Sequence, residues 1–174
     1  MVALQSKTNP ASRRQRPAAR GALWRACGMI AWLALATTPA AALNERIVHD
    51  TYTGLALYGF DPVAYFTEGG PREGKADYES EHDGVFWRFA SRGNAAAFAA
   101  APAVYVPAYG GHSAVAAAAG FPVPGAPEFF AIRDNRLFLF SSAQQRDQWL
   151  KDAARLIAEA DARWPVIIES LASR

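Results

Sequence analysis

The sequence predicts an α+β fold: an antiparallel sheet built from two β-hairpins, packed with about three helices in a single domain. Three observations carry this. Asp83-Gly84 lies between two β-prone runs, a second pair of such runs flanks residues 133–136, and an apolar stripe at helical spacing follows. Hairpins followed by helices, rather than strands alternating with helices, separate this pattern from the α/β class.

Taken in order, residues 43–54 form a lead-in segment. Residues 62–67 (PVAYFT) form a β-prone run closed by Gly69-Gly70-Pro71. The first hairpin spans 78–89, with Asp83-Gly84 as a two-residue turn that needs φ > 0 at both positions. That register pairs His82 with Val85, Ser80 with Trp87 and Tyr78 with Phe89, and sets Glu79 opposite Arg88 as a cross-strand ion pair. Ser91 caps a helix through residue 100, which Pro102 ends. A second alanine-rich helix runs from His112 to Ala119 after Gly110-Gly111. Residues 120–127 (GFPVPGAP) hold three prolines and two glycines and form a stiff loop. The second hairpin joins 129–132 to 137–140 around residues 133–136. Ser141 or Ser142 then caps the longest helix, to about Arg163, with Trp149, Ala153, Leu156, Ile157, Ala160 and Trp164 turned to the sheet. Residues 166–174 remain as a tail.

The front of the chain has a different character. Six of the 18 Lys and Arg residues, and none of the 16 acids, lie in the first 42 positions. A basic stretch leads into an apolar run at 26–36, followed by Ala40-Ala41-Ala42 as an A-x-A cleavage site. The run is too short for the ~20 residues a membrane helix needs. This is the order of a signal peptide over 1–42, and it predicts a periplasmic protein with no stable membrane span once the leader is gone. Ser12-Arg13-Arg14 hints at a twin-arginine route, and an uncleaved anchor is the other alternative.

Without the leader, 12 basic residues face 16 acidic ones, a formal charge of −4 in place of the whole chain's +2. A mildly acidic domain has no electrostatic basis for holding nucleic acid. Cys27, the single cysteine, falls inside the leader. The mature protein is therefore free of disulfides and depends on its core, for which about 130 residues suffice.

The string Tyr58-Gly59-Phe60-Asp61-Pro62-Val63-Ala64-Tyr65-Phe66, the hairpin ending in FWRFAS, and YVPAYGG up to Gly111 together resemble the YHS domain family. The resemblance covers roughly residues 55–165. It implies an exported accessory domain that binds a metal ion, such as copper. Members associated with metal transport carry cysteines at positions held here by Ala64, Ala90 and Asn94, and exported members carry one where Ser113 stands. The resemblance thus supplies no thiolate, and a metal site would have to use His49, His82, His112 and carboxylates.

Gly110-Gly111-His112-Ser113 is the candidate binding constellation. Two glycines ahead of a helix can offer free amides, and His112 adds a polar group or metal ligand. The alternative is that the glycines only make the turn and Ser113 or His112 finishes the helix end. Asp61 and Tyr65 are placed nearby as further ligand groups, although an Asp before Pro is also a common turn-former. His82 is expected to be packed rather than to bind. No phosphate loop, nucleotide fingerprint or H-E-x-x-H is present, and Gly111-His112-Ser113 lacks the last glycine of a nucleophile elbow. The sequence therefore predicts a non-catalytic domain that binds a metal ion or small polar ligand. Its alternative is a structural or partner-binding domain with no metal site.

Overall fold

Asp83 and Gly84 take φ of +53° and +76°, as the predicted tight turn requires. They join strand β1 (Lys75–His82) to strand β2 (Val85–Phe89). The register His82↔Val85, Ser80↔Trp87 and Glu79↔Arg88 is the predicted one, and Arg88 Nε lies 2.8 Å from Glu79 Oε2. The far end differs. Phe89 pairs with Lys75, not Tyr78, across a bulge. Beside the bulge, Gly74 passes so close over Arg88 and Phe89 that a Cβ there would collide with β2.

The computed structural model describes residues 45–172, all within the compact unit Pro39–Arg174. The predicted leader with Cys27, and the last two residues, lie outside the described residues. Among the described residues there are six helices and two antiparallel two-stranded sheets, an α+β domain. The two hairpins do not merge into one sheet as predicted; isolated bridges such as Leu55↔Phe86 and Ser113↔Leu139 extend each separately.

Residues 62–67 are the clearest departure from the predicted elements. They form a short helix, α1 (Ala64–Thr67), in place of a strand. Asp61 Oδ1 accepts from the amides of Val63 and Ala64 at 2.8 and 3.3 Å, which starts a helical turn despite the β-prone side chains. Beyond β2, Ser91 caps helix α2 (Arg92–Ala100) by accepting from Asn94 N, as predicted, and helix α3 (Pro102–Tyr105) follows. Helix α4 (Ala114–Ala119) begins two residues later than predicted, with Ser113 as its cap and Gly120 as a left-handed stop.

Strands β3 (Ala126–Arg133) and β4 (Arg136–Phe140) turn through Asp134 and Asn135 alone, both at positive φ, so the loop is two residues rather than four. Ser142 caps helix α5 (Ala143–Lys151). The predicted long helix breaks at Asp152, whose φ and ψ are −146° and 42°, and resumes as α6 (Ala153–Ala172). Helix α6 runs through Pro165 and past the predicted end. Ile167 and Leu171 are buried and continue the stripe of Leu156, Ala160 and Trp164, so burial outweighs the lost amide. The stretch expected as a tail is thus helical to Ala172.

Strand β4 divides the core. Leu137 and Leu139 pack into a cluster with Val85, Trp87, Phe89 and Phe98, whereas Phe138 and Phe140 pack with Trp149, Leu156 and Ala160. Alternation along one strand thereby feeds both halves of the domain. No helix of the described residues is long and apolar enough to cross a membrane.

Candidate functional site

The lead-in segment is clamped between two left-handed turns of the same local type. Tyr58 and Tyr109, each followed by glycine, have φ of +57°. The segment bonds to both turns, with Leu57 N donating to Val48 O at 2.9 Å and Val48 N to Gly110 O at 2.8 Å. The glycines are there for close approach. A Cβ on Gly110 would collide with the Arg46 carbonyl, and one on Gly111 would press on Leu57 at 2.9 Å. Their amides do not form the predicted ligand cradle. The next two, His112 N and Ser113 N, are already bonded to Tyr109 O and Val123 O.

Ser113 is also fully committed. It has no exposed surface, and its hydroxyl donates to Gln145 Oε1 at 2.7 Å, where the Ser141 hydroxyl donates as well. It is the cap that ties α4 to α5, not a ligand group. Asp61, with 0% exposure, receives four donors: the amides of Val63, Ala64 and Ala90, and Asn94 Nδ2 at 2.6 Å. Ala64, Ala90 and Asn94, the thiol-free positions, are thus all gathered on one carboxylate with little capacity left. Tyr65 donates to Pro127 O at 3.1 Å and packs edge-on against Phe130. Burial pushes its hydroxyl well up, so it stays protonated. Asp61, Tyr65 and Ser113 thus make bonds that serve the fold, and none of them lines the cavity of about 270 Å³ that His112 lines. His82 packs edge-on against Phe98 at 5.6 Å, as expected of a structural histidine.

His112 itself is placed differently. It is 5% exposed, stacks at 5.4 Å on Trp164, and its Nδ1 lies 2.9 Å from Tyr109 O. A carbonyl oxygen only accepts, so Nδ1 carries the proton and Nε2 of the neutral ring keeps its lone pair. Burial lowers the His112 pKa and favours that neutral ring, against smaller opposing effects of the Tyr109 carbonyl and Glu45. His49 repeats the arrangement. Its Nδ1 lies 2.8 Å from Ile47 O, and its Nε2 is buried with no hydrogen-bond partner.

Both imidazoles line one cavity of about 270 Å³, together with Glu45, Asp50, Tyr58 and Pro124. Sequence reasoning found His112 and counted His49 among the imidazoles available for a metal, but placed Asp61, Tyr65 and Ser113 beside His112 in place of His49 and Tyr58. Nothing local marks them, because the lead-in segment meets the Tyr109-Gly110-Gly111 turn only in the folded chain. A larger hollow of about 400 Å³ lies across Ile47, but its charged groups, Arg46 and Asp83, are engaged elsewhere.

A metal ion fits this donor set poorly. Among the described residues, no three of His, Cys, Asp and Glu come together as a coordination group, and the two imidazoles alone do not make the four-ligand shell typical of a structural zinc site. No family model, curated protein or solved structure matches the chain.

Proposed function

We propose that this chain is a periplasmic, non-catalytic accessory domain of the YHS kind that binds a small polar ligand in the cavity shared by His49 and His112. The observation carrying this reading is the pair of imidazoles whose Nδ1 atoms are both held by main-chain carbonyls. That arrangement fixes the tautomer and leaves two Nε2 acceptors on groups lining one cavity. A buried, unpartnered nitrogen costs about 1–3 kcal/mol. The absence of catalysis is supported by Ser113, whose hydroxyl is spent on Gln145 rather than paired with His112. Export is supported by the charge and apolar order of residues 1–42.

The test is a titration of ¹⁵N-histidine-labelled protein with small amines, polyols, carboxylates and divalent metals. At least one class is expected to move the ring signals of His49 and His112 together and saturably, and His112→Ala to abolish the effect. Metal analysis of the purified protein is expected to give well under one equivalent. If no class moves the two rings, the binding reading is lost. A partner-binding reading would then rest on Tyr52, Tyr58 and Phe86, which are 97%, 43% and 45% exposed around the Gly54–Ala56 contact with β2.

A further inference from the structure

The chemistry of the cavity wall is one-sided. Glu45 and Asp50 bring carboxylates to the lining, and the neutral rings of His49 and His112 lie beside them. No lysine or arginine among the described residues lines it. Asp50 is held ionised by its own turn: the Thr53 amide at 2.7 Å, the Thr53 hydroxyl and the Tyr52 amide all bond Oδ1 and lower its pKa. The two carboxylates act on different parts of the wall, Glu45 on His112 and Asp50 on Tyr58, so negative potential is spread across the cavity rather than focused at one point. Thr51 and Tyr58 bring hydroxyls to the same wall, but its only formal charges are negative, which calls for a positively charged ligand.

We propose that the cavity binds a small organic molecule through a protonated amine. This rests on the binding reading above and specifies its ligand class. An ammonium group has three donors and a positive charge, which complements a wall that carries two carboxylates and no lysine or arginine. The Tyr58 ring supplies an aromatic surface of the kind that attracts such a cation. A bare metal ion needs its ligands converging on one point, which this wall does not provide. A carboxylate or phosphate ligand would meet like charge at Glu45 and Asp50 and no donor on either ring. The volume, about 270 Å³, lies just under the ~300–1,000 Å³ typical of drug-sized ligands, so the amine belongs to a short chain. His49 and His112 are more than nine-tenths buried beside the two carboxylates, so one side of the cavity is built into the domain.

The deciding experiment titrates the purified full chain with ethanolamine and putrescine, with acetate and glycerol as matched anion and neutral probes, and Zn(II) as a point cation. Ring ¹⁵N shifts of His49 and His112 are the readout. The two amines are expected to bind saturably, more weakly as salt rises, with affinity falling about tenfold in Glu45→Gln. Glu45 is exposed, so this variant folds even where a histidine replacement does not. Equal shifts from acetate or glycerol, or an unchanged amine affinity in Glu45→Gln, overturn the amine assignment. Saturation by Zn(II) with no response to amines overturns it too, while leaving the cavity as the binding site. Silence from every probe removes the binding reading itself.

Discussion

At Asp61, a carboxylate with no exposed surface receives four donors from three segments of the chain. At His49 and His112, two imidazoles almost as deeply buried each use one ring nitrogen, and His49 Nε2 is left with nothing. Both regions sit beside turns with positive φ and both hold separate segments together. The difference is in completion. A saturated carboxylate inside a protein is a structural staple, because any ligand would have to displace bonds already made. An imidazole nitrogen without a partner is capacity held in reserve. The family-like motif around Asp61 stands out in the sequence, yet the nitrogen left without a partner belongs to His49.

The sharpest way to break this comparison is at the saturated end. Asp61→Ala orphans two helix-start amides, the Ala90 amide and Asn94 together, and is expected to cost about 3 kcal/mol or more in urea denaturation. Loss of only a few tenths would mean that Asp61 is no staple. Gly110→Ala is expected to cost about 2 kcal/mol, since its φ of +60° and the Arg46 carbonyl both oppose a side chain. It should also weaken ligand binding, because the lead-in segment carrying His49 is pushed off its turn.

At the unsaturated end the expected stability change is smaller and the functional change larger. His49→Phe removes an unpartnered nitrogen along with one Nδ1 hydrogen bond, so stability should stay within about 1 kcal/mol while ring shifts at His112 on amine addition disappear. A large stability loss with binding intact would reverse the assignment of roles. The smallest effect is with pH. His112 is kept below its ordinary value of 6.5 by burial, so the unfolded chain binds its proton first as pH falls. Stability is full above that value and declines as pH drops from 6.5 towards the lower folded value. Thermal melts of wild type and His112→Gln between about pH 5 and 7.5 isolate this, and the variant should show the shallower slope.

Much of the fold was legible because it is local. Asp83-Gly84 set its own turn and the register nearest to it, and Ser91 and Ser142 each capped the helix that follows. In this hairpin, register departs from the local pattern only at the far end, where β1 bulges and Gly74 lies against β2. The strand predicted at 62–67 became helical because Asp61 accepts from the Val63 and Ala64 amides just after it, and its anchoring to Ala90 and Asn94 holds it there. The candidate site was half legible. His112 stands beside a conspicuous glycine pair, but the reason for that pair, passage of the Arg46 backbone, is not written nearby.

The sequence by itself determined the α+β class, the Asp83-Gly84 turn, the helix caps at Ser91 and Ser142, and a basic first 42 residues ahead of a mildly acidic remainder. These follow from dihedral preference, short-range hydrogen bonding and composition, which act over a few residues. Tertiary structure decided which polar groups were used up and which were left over. Ser113 and Asp61 met partners far along the chain and were saturated, whereas His49 met only its own main chain and was brought beside His112 by the clamp between two Tyr-Gly turns. Whether a donor finds an acceptor inside a protein depends on every segment packed around it, and no local pattern encodes that.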